Sequence, residues 1–223
     1  MAALVPGRLF MRPMDLDDVD TVAGWLGDMD DLSLFDRRRA LPLGKDALRD
    51  AWKADLSAAD VPTAYWFILE ADDREPVALA GLHSISHIHG DSVLAILVSR
   101  QARERGLGLR IAIAALDMAF DRLRLHRVTT FFRSDNLRSE RLTRRTGFQQ
   151  EGRMREAWFG TGQFFDCIVV GLLREEWYAR RTALLAELDG SIEIVPGPTA
   201  AGPTACADGS ETPEPSQADD HAP

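Results

Sequence analysis

The chain has 223 residues, 45% of them hydrophobic and 27% charged, enough apolar surface for the core of one domain of ordinary size. Its net charge of −9 is uneven: all 26 Lys and Arg lie at or before Arg181, while eight of the 35 acidic residues follow it, so the body carries −1 and the end −8. A near-neutral body lacks the concentrated basic surface of a nucleic-acid binder. No apolar run of roughly eighteen residues is there to cross a membrane, and Cys167 and Cys206 make no metal-ligand spacing.

The opening "MAALVPGRLFMRP" has no basic segment before an apolar core and no clear cleavage site, unlike a signal peptide. With two unpaired thiols, this suits a reducing, cytoplasmic setting. "RLFMRPM" then reads as a short strand. "DLDDVDTVAGWLGDMD" is expected to form one helix, with Asp15 or Asp17 as N-cap and Val19, Val22, Ala23 and Leu26 at helical spacing. "GKDALRDAWKADLSAAD" reads as a second helix. "TAYWFILEA" and "PVALAGLHSISHI" read as strands about the turn "DDRE", with alternation placing His83, His87 and His89 on one face. "HGD" turns the chain into the strand "SVLAILVS".

Next comes "SRQARERGLGLR", then a helix from Leu109 to about Leu123. "HRVTTFFRS" is a strand and "DNLRSERLTRRTG" a helix with Gly147 at the C′ position. "FQQEGRMREAWF" and "QFFDCIVVGLLREEW" form a hairpin about "GTG" and run into a last helix. From about Gly190, Pro, Gly, Ala, Ser and acid dominate, so a folded domain over 1–189 is expected to precede a disordered acidic tail over 190–223.

The glycine turn is the first feature with chemistry in it. A strand that ends in such a turn and opens a helix brings several backbone N–H groups and the positive end of the helix dipole to one point. Arg100, Arg103, Arg105 and Arg110 add attraction for an anion. The same pattern also serves as a plain turn. A P-loop is excluded because no Lys follows the glycines, and a dinucleotide fingerprint because position 111 is Ile.

What remains, Arg103-x-x-Gly106-x-Gly108, resembles the pyrophosphate loop of the GNAT N-acetyltransferases, which bind acetyl-CoA. The resemblance runs over roughly residues 7–181. "RLFMRPMDLDDVDTVAGWL", the stretch from His126 with Asn136, Ser139, Gly147-Phe148 and Arg155-Glu156, and the ending "FFDCIVVGLLREEW" are similar to the ribosomal-protein alanine N-acetyltransferase branch. It implies an α/β (α+β) acyl-CoA N-acyltransferase fold: a mixed, mostly antiparallel, splayed sheet with helices on both faces. It also implies acetyl transfer from acetyl-CoA to a primary amine, on a protein N-terminus or a small molecule, by direct attack in a ternary complex of a monomer or homodimer. A different reading is an acyl-CoA-binding sensor or interaction module on the same fold, with little catalysis.

By the same resemblance, the backbone of Ile96, Leu97 and Val98 holds the pantetheine arm, and one N–H of that segment polarises the thioester carbonyl. The pyrophosphate takes N–H groups of Arg103, Glu104, Arg105, Gly106, Leu107, Gly108 and Leu109, and the arginines suit its charge. Asn136 reads from local pattern as an N-cap and from the resemblance as a pantetheine contact. Ser139 stands where the alanine-acetylating branch stabilises the departing thiolate, and Thr143 where many relatives carry a tyrosine acid. Some relatives have a glutamate at the position of Val93, so no carboxylate serves as base in "SVLAILV". His83 is the candidate in its place, ahead of His87, His89 and Glu70, with relay through ordered water as the alternative. Asp166 is expected to pair with Arg153 or Arg155, and residues 25–34 and 158–165 to flank the acceptor.

Overall fold

The computed structural model describes residues 8–56, 60–103 and 106–187, and the backbone of 194–196. Fourteen elements of regular structure follow in chain order. They are β1 (Leu9–Pro13), α1 (Val19–Trp25), α2 (Met29–Phe35), α3 (Lys45–Leu56), β2 (Tyr65–Glu70), β3 (Pro76–Ser86) and β4 (Asp91–Val98). After them come α4 (Leu107–Asp117), β5 (Arg127–Arg133), α5 (Leu137–Thr146), β6 (Gln149–Gly160), β7 (Gln163–Leu173), α6 (Arg174–Glu187) and β8 (Ile194–Pro196). The strands form one sheet in the order β6-β7-β5-β4-β3-β2-β1-β8. Only β4–β5 and β1–β8 are parallel, so the sheet is mixed and mostly antiparallel.

Strand alternation gives each face its own core. On one face Leu82, Leu94, Val128, Phe132 and Leu172 pack against Leu109, Ile113, Leu116 and Phe120 of the α4 segment and against Trp177 of α6. Trp177 is fully buried, and its Nε1 donates to Asp117 Oδ1 at 3.1 Å. On the other face Trp66, Ile68, Leu79 and Leu97 meet Val19, Val22, Leu26, Leu32, Leu48 and Trp52 of α1–α3. Each such aliphatic side chain removed from water contributes about 2 kcal/mol, so the two faces hold the sheet rigid between helical layers.

Three expectations change. The helix expected over 15–30 is two helices, because Asp28 caps a new one: its Oδ1 accepts from the N–H of Asp30 (3.0 Å) and Asp31 (3.1 Å), and α2 leaves in its own direction. β3 does not carry three histidines on one face. Its register with β4 shifts between His83 and Ser86, Ser84 sits at φ 53°, and His87 and His89 fall beyond the strand. His87 instead bonds Pro62 O at 2.9 Å. The helix after the glycines starts at Leu107 and closes in a wider π turn over Met118–Arg122. Within the segment expected to be a disordered tail, β8 lies parallel to β1; the rest of that segment is outside the described residues. Among the described residues, no helix is long and apolar enough to cross a membrane.

Candidate active site

Between β4 and β5 the sheet comes apart. They pair only at Asp91↔Arg127, Ser92↔Val128 and Val93↔Thr129. Beyond Val93, β4 stays with β3 as far as Val98, and β5 stays with β7 as far as Arg133. Residues 94–98 and 130–133 therefore flank a gap with no ladder across it. One hydrogen bond fixes which backbone groups look into it: the Ser99 N–H donates to Val77 O, on the β3 side, at 2.9 Å. Alternation then turns Ala95 and Leu97 towards β3, and the N–H and C=O of Ile96 and Val98 into the gap. Of the three residues expected to hold pantetheine, Leu97 thus offers no backbone to the gap, and its side chain is core.

At the open end of the gap the chain turns through Arg100–Ala102 into α4. Gly106 caps the helix at φ 72°, ψ 5°, a left-handed conformation that a Cβ would strain. Having no side chain, it supplies no capping bond, and the N–H groups of Leu107, Gly108 and Leu109 begin the helix without i−4 partners. The side chains of Leu107 and Leu109 are buried. A Cβ on Gly108 would meet only Leu142 Cδ2, at 3.8 Å, so packing within the chain does not require glycine there. Glu104 and Arg105 lie outside the described residues.

The arginines are disposed differently from expectation. Arg103 donates its Nε to Val98 O (3.1 Å), and its Nη1 lies 2.8 Å from Asp31 Oδ1. Arg100 pairs with Asp28 (2.8 Å) and Asp31 (3.3 Å), and Arg110 is buried within α4. The acids at the start of α2 thus engage two of the four arginines that read as phosphate ligands. Asp31 was legible only in part: an acid three residues after Asp28 fits a helix start, but its ion-pair partners are about seventy residues away.

Across the gap stands α5. Asn136 is its N-cap, with Oδ1 accepting from the Ser139 N–H at 3.2 Å, and its amide NH2 takes no part in that cap bond. Thr143, expected at the place of a tyrosine acid, turns its hydroxyl into its own helix, to Ser139 O (2.9 Å) and Glu140 O (3.1 Å). Ser139 is half-buried, and its hydroxyl enters none of the bonds of this turn.

The face of the sheet opposite α4 carries the remaining candidates. His83 pairs in register with Val93, the position where the resemblance leads us to expect a glutamate. Its ring stacks on Trp66 (centroids 5.5 Å, 7° between planes), Nδ1 lies 3.1 Å from Ser84 Oγ, and Trp66 Nε1 donates to Asp55 Oδ2 at 3.1 Å. Burial pushes the His83 pKa down, Asp55 and Asp36 partly oppose this, and Arg38 adds to it. On the other bank, Arg133 is buried between Asp135 (2.6 Å), Ser33 Oγ (2.5 Å) and the Phe165 ring (4.5 Å). Trp158 Nε1 donates to Ser33 O at 2.8 Å, tying α2 to the last hairpin. Asp166 pairs with Arg153 at 2.5 Å and accepts from the Glu156 N–H at 2.9 Å. Sequence reasoning missed Ser33 and Arg133 because neither stands in a local pattern.

A sheet split after a parallel start, with an uncapped helix N-terminus at the mouth, defines an acyl-CoA-type transferase fold. Comparison with known proteins agrees. The acetyltransferase (GNAT) domain family matches residues 8–149, and the chain belongs to that family. It is 27% identical to spermidine N(1)-acetyltransferase of Escherichia coli (strain K12) over 113 residues, 51% of this chain and 60% of that one. It is 23% identical to the putative ribosomal N-acetyltransferase YdaF of Bacillus subtilis (strain 168) over 124 residues, 56% of this chain and 64% of that one. The match thus spans less than two thirds of either relative. The crystal structure of spermidine N-acetyltransferase from Vibrio cholerae, in complex with CoA and spermine, superposes with a TM-score of 0.70 at 20% identity, over 76% of this chain and 98% of that chain. The splayed, mixed sheet with helices on both faces is therefore the GNAT fold.

Proposed function

We propose that the chain is an N-acetyltransferase that moves an acetyl group from acetyl-CoA, as co-substrate, to a primary amine by direct attack. The observation that carries this is the gap between β4 and β5, lined by the backbone of Ile96 and Val98 and opening at the uncapped start of α4. The open donors and the space at Gly108 fit a pyrophosphate, for which residues 103–109 supply N–H groups. Ile96 and Val98 hold the pantetheine arm, the Ile96 N–H polarises the thioester carbonyl, and the Asn136 amide steadies the arm from the far bank.

As the unprotonated amine nitrogen bonds to the carbonyl carbon and the C–S bond breaks, the nitrogen must give up one proton and the sulfur leaves as a thiolate. The nitrogen's excess proton leaves to His83 through water, and the sulfur takes a hydrogen bond from Ser139, whose hydroxyl stabilises the thiolate more than it ionises. A lowered imidazole pKa keeps His83 neutral, and so basic, at pH 7. The domain doing this work is 1–189, with 190–223 as an acidic tail, in a cytoplasmic monomer or homodimer without a nucleic-acid partner. A binding module without turnover is not favoured, since the relatives and the structural neighbour are acetyltransferases.

Isothermal titration should show acetyl-CoA binding in the micromolar range, lost in Gly106→Val while the sheet still folds by circular dichroism. Thiol release with an amine panel should then show turnover. No binding by the wild type sinks the reading.

A further inference from the structure

α2 ends at Phe35, and the chain continues as Asp36-Arg37-Arg38-Arg39. Two sets of contacts locate this segment. On one bank, Ser33 near the end of α2 accepts from Arg133 Nη1 of β5 and, through its carbonyl, from Trp158 Nε1 of β6, and Arg37 lies within electrostatic reach of Cys167, opposite Arg133 in β7. On the other bank, Phe35 packs against the cluster of Trp66, Leu79 and Leu97 from β2–β4, and Asp36 and Arg38 follow it within electrostatic reach of His83, which lies in β3 opposite Val93 of β4. In the sheet order β7-β5-β4-β3, the segment therefore spans both banks of the gap on the face opposite α4. That is the side from which an amine reaches a thioester held along β4.

The charge of this strap is one-sided. Asp36 is nearly buried, takes the Arg38 N–H at 2.9 Å, and lies 3.5 Å from the Nε of both Arg38 and Arg39. Arg37 has no carboxylate partner among the described residues, and Arg38 is 83% exposed. The segment carries three arginines against one acid. Beneath it the floor is apolar: Val93 and Ala95 from β4, Phe131 and Val169 from β5 and β7, all half-buried. Among the described residues near the gap, Asp135, Asp28 and Asp31 are each paired to an arginine of the chain, Asp30 faces Arg100, and Asp55 bonds Trp66.

Such a site repels a polycation and accepts an apolar body that ends in an anion. We infer that the acceptor is an amine whose apolar body carries a carboxylate, held by Arg37 and Arg38 of the strap. This rests on the acetyl-transfer reading and narrows its substrate class. A charge-assisted, two-pronged bond from guanidinium to carboxylate discriminates by roughly tenfold or more against the neutral isostere.

The test uses the full chain, saturating acetyl-CoA and three acceptors: phenylalanyl-glutamate and phenylalanyl-glutamine, both as C-terminal amides, and spermidine. The expected kcat/KM for the glutamate peptide is roughly tenfold above that for the glutamine peptide, with spermidine lowest. The ratio should shrink with added salt. It should collapse towards one in Arg37→Gln or Arg38→Gln and persist in Arg145→Gln, on the distant face of α5. Equal rates for the two peptides, or spermidine as the best acceptor, would overturn the inference while acetyl transfer itself stands. No transfer to any of the three also overturns it, and the acetyl-CoA titration then decides whether the transferase reading falls too.

Discussion

At the residue scale the site turns on two small groups with unlike environments. The Ser139 N–H belongs to the cap of α5 and its hydroxyl is outside the helix bonds, whereas Thr143 spends its own on the helix, so the proposed partner of the sulfur is Ser139. Ser139→Ala should lower kcat by roughly ten- to a hundredfold with the acetyl-CoA dissociation constant almost unchanged, measured by stopped-assay kinetics beside calorimetry. Unchanged kcat would remove Ser139 from the chemistry. His83 is tested by pH. Burial against Trp66 holds its pKa below the ordinary 6.5, so below that value the unfolded chain binds more protons than the folded one. Stability should therefore rise with pH just below 6.5 and fall as the medium turns acid through that window. The acid limb of kcat/KM should bend at the same depressed value, and His83→Gln should abolish both bends. An acid limb that survives the substitution assigns the proton relay to water alone.

At the element scale the question is how α2 and the glycine loop, far apart in sequence, come to act together. Asp31 at the start of α2 is buried, and both Arg103 and Arg100 reach it. Arg103 in turn holds the carbonyl of Val98 at the edge of the gap. We expect Asp31→Asn to raise KM for acetyl-CoA several-fold with a smaller effect on kcat, because it frees the loop without touching the reacting atoms. It should also lower stability by about 1–2 kcal/mol, the cost of an ion pair that is partly open to water. A kcat loss without a KM change in steady-state kinetics would place Asp31 elsewhere in the mechanism. This coupling also shows what was legible in the sequence. Elements with strong periodicity, β2, β4, α5 and the last hairpin, could be read from local pattern, and so could Gly106 and the cap Asn136. The break before α2 was hidden, since Leu26 continues the apolar spacing and only the cap Asp28 marks a new start. The bulge at Ser84 was hidden too, because a register shift is decided by the partner strand. Ion pairs such as Asp31–Arg103 leave no local trace.

At the scale of the whole molecule, the sheet has two outer strands that are protected differently. β6 bears charged residues and a register break between Met154 and Trp158, features that discourage pairing with another strand. β1 is covered instead by β8, three residues in parallel from the Pro-rich end of the chain. Six acids lie in residues 190–223, so a chain ending at Asp189 would change its net charge from −9 to −3 and uncover β1. The site lies four strands from that edge, between β4 and β5, and both hydrophobic layers stay intact. The truncated chain should therefore keep its acetyl-CoA affinity and turnover within about twofold. It should lose about 1 kcal/mol in urea unfolding, the scale of one or two ladder bonds, and precipitate more readily near its isoelectric point. A large fall in kcat/KM after truncation, with cofactor affinity unchanged, would instead mean that the acidic end acts at the acceptor side. There it would pair with the arginine strap, and high salt should then lower the full-length chain's rate towards that of the truncated chain.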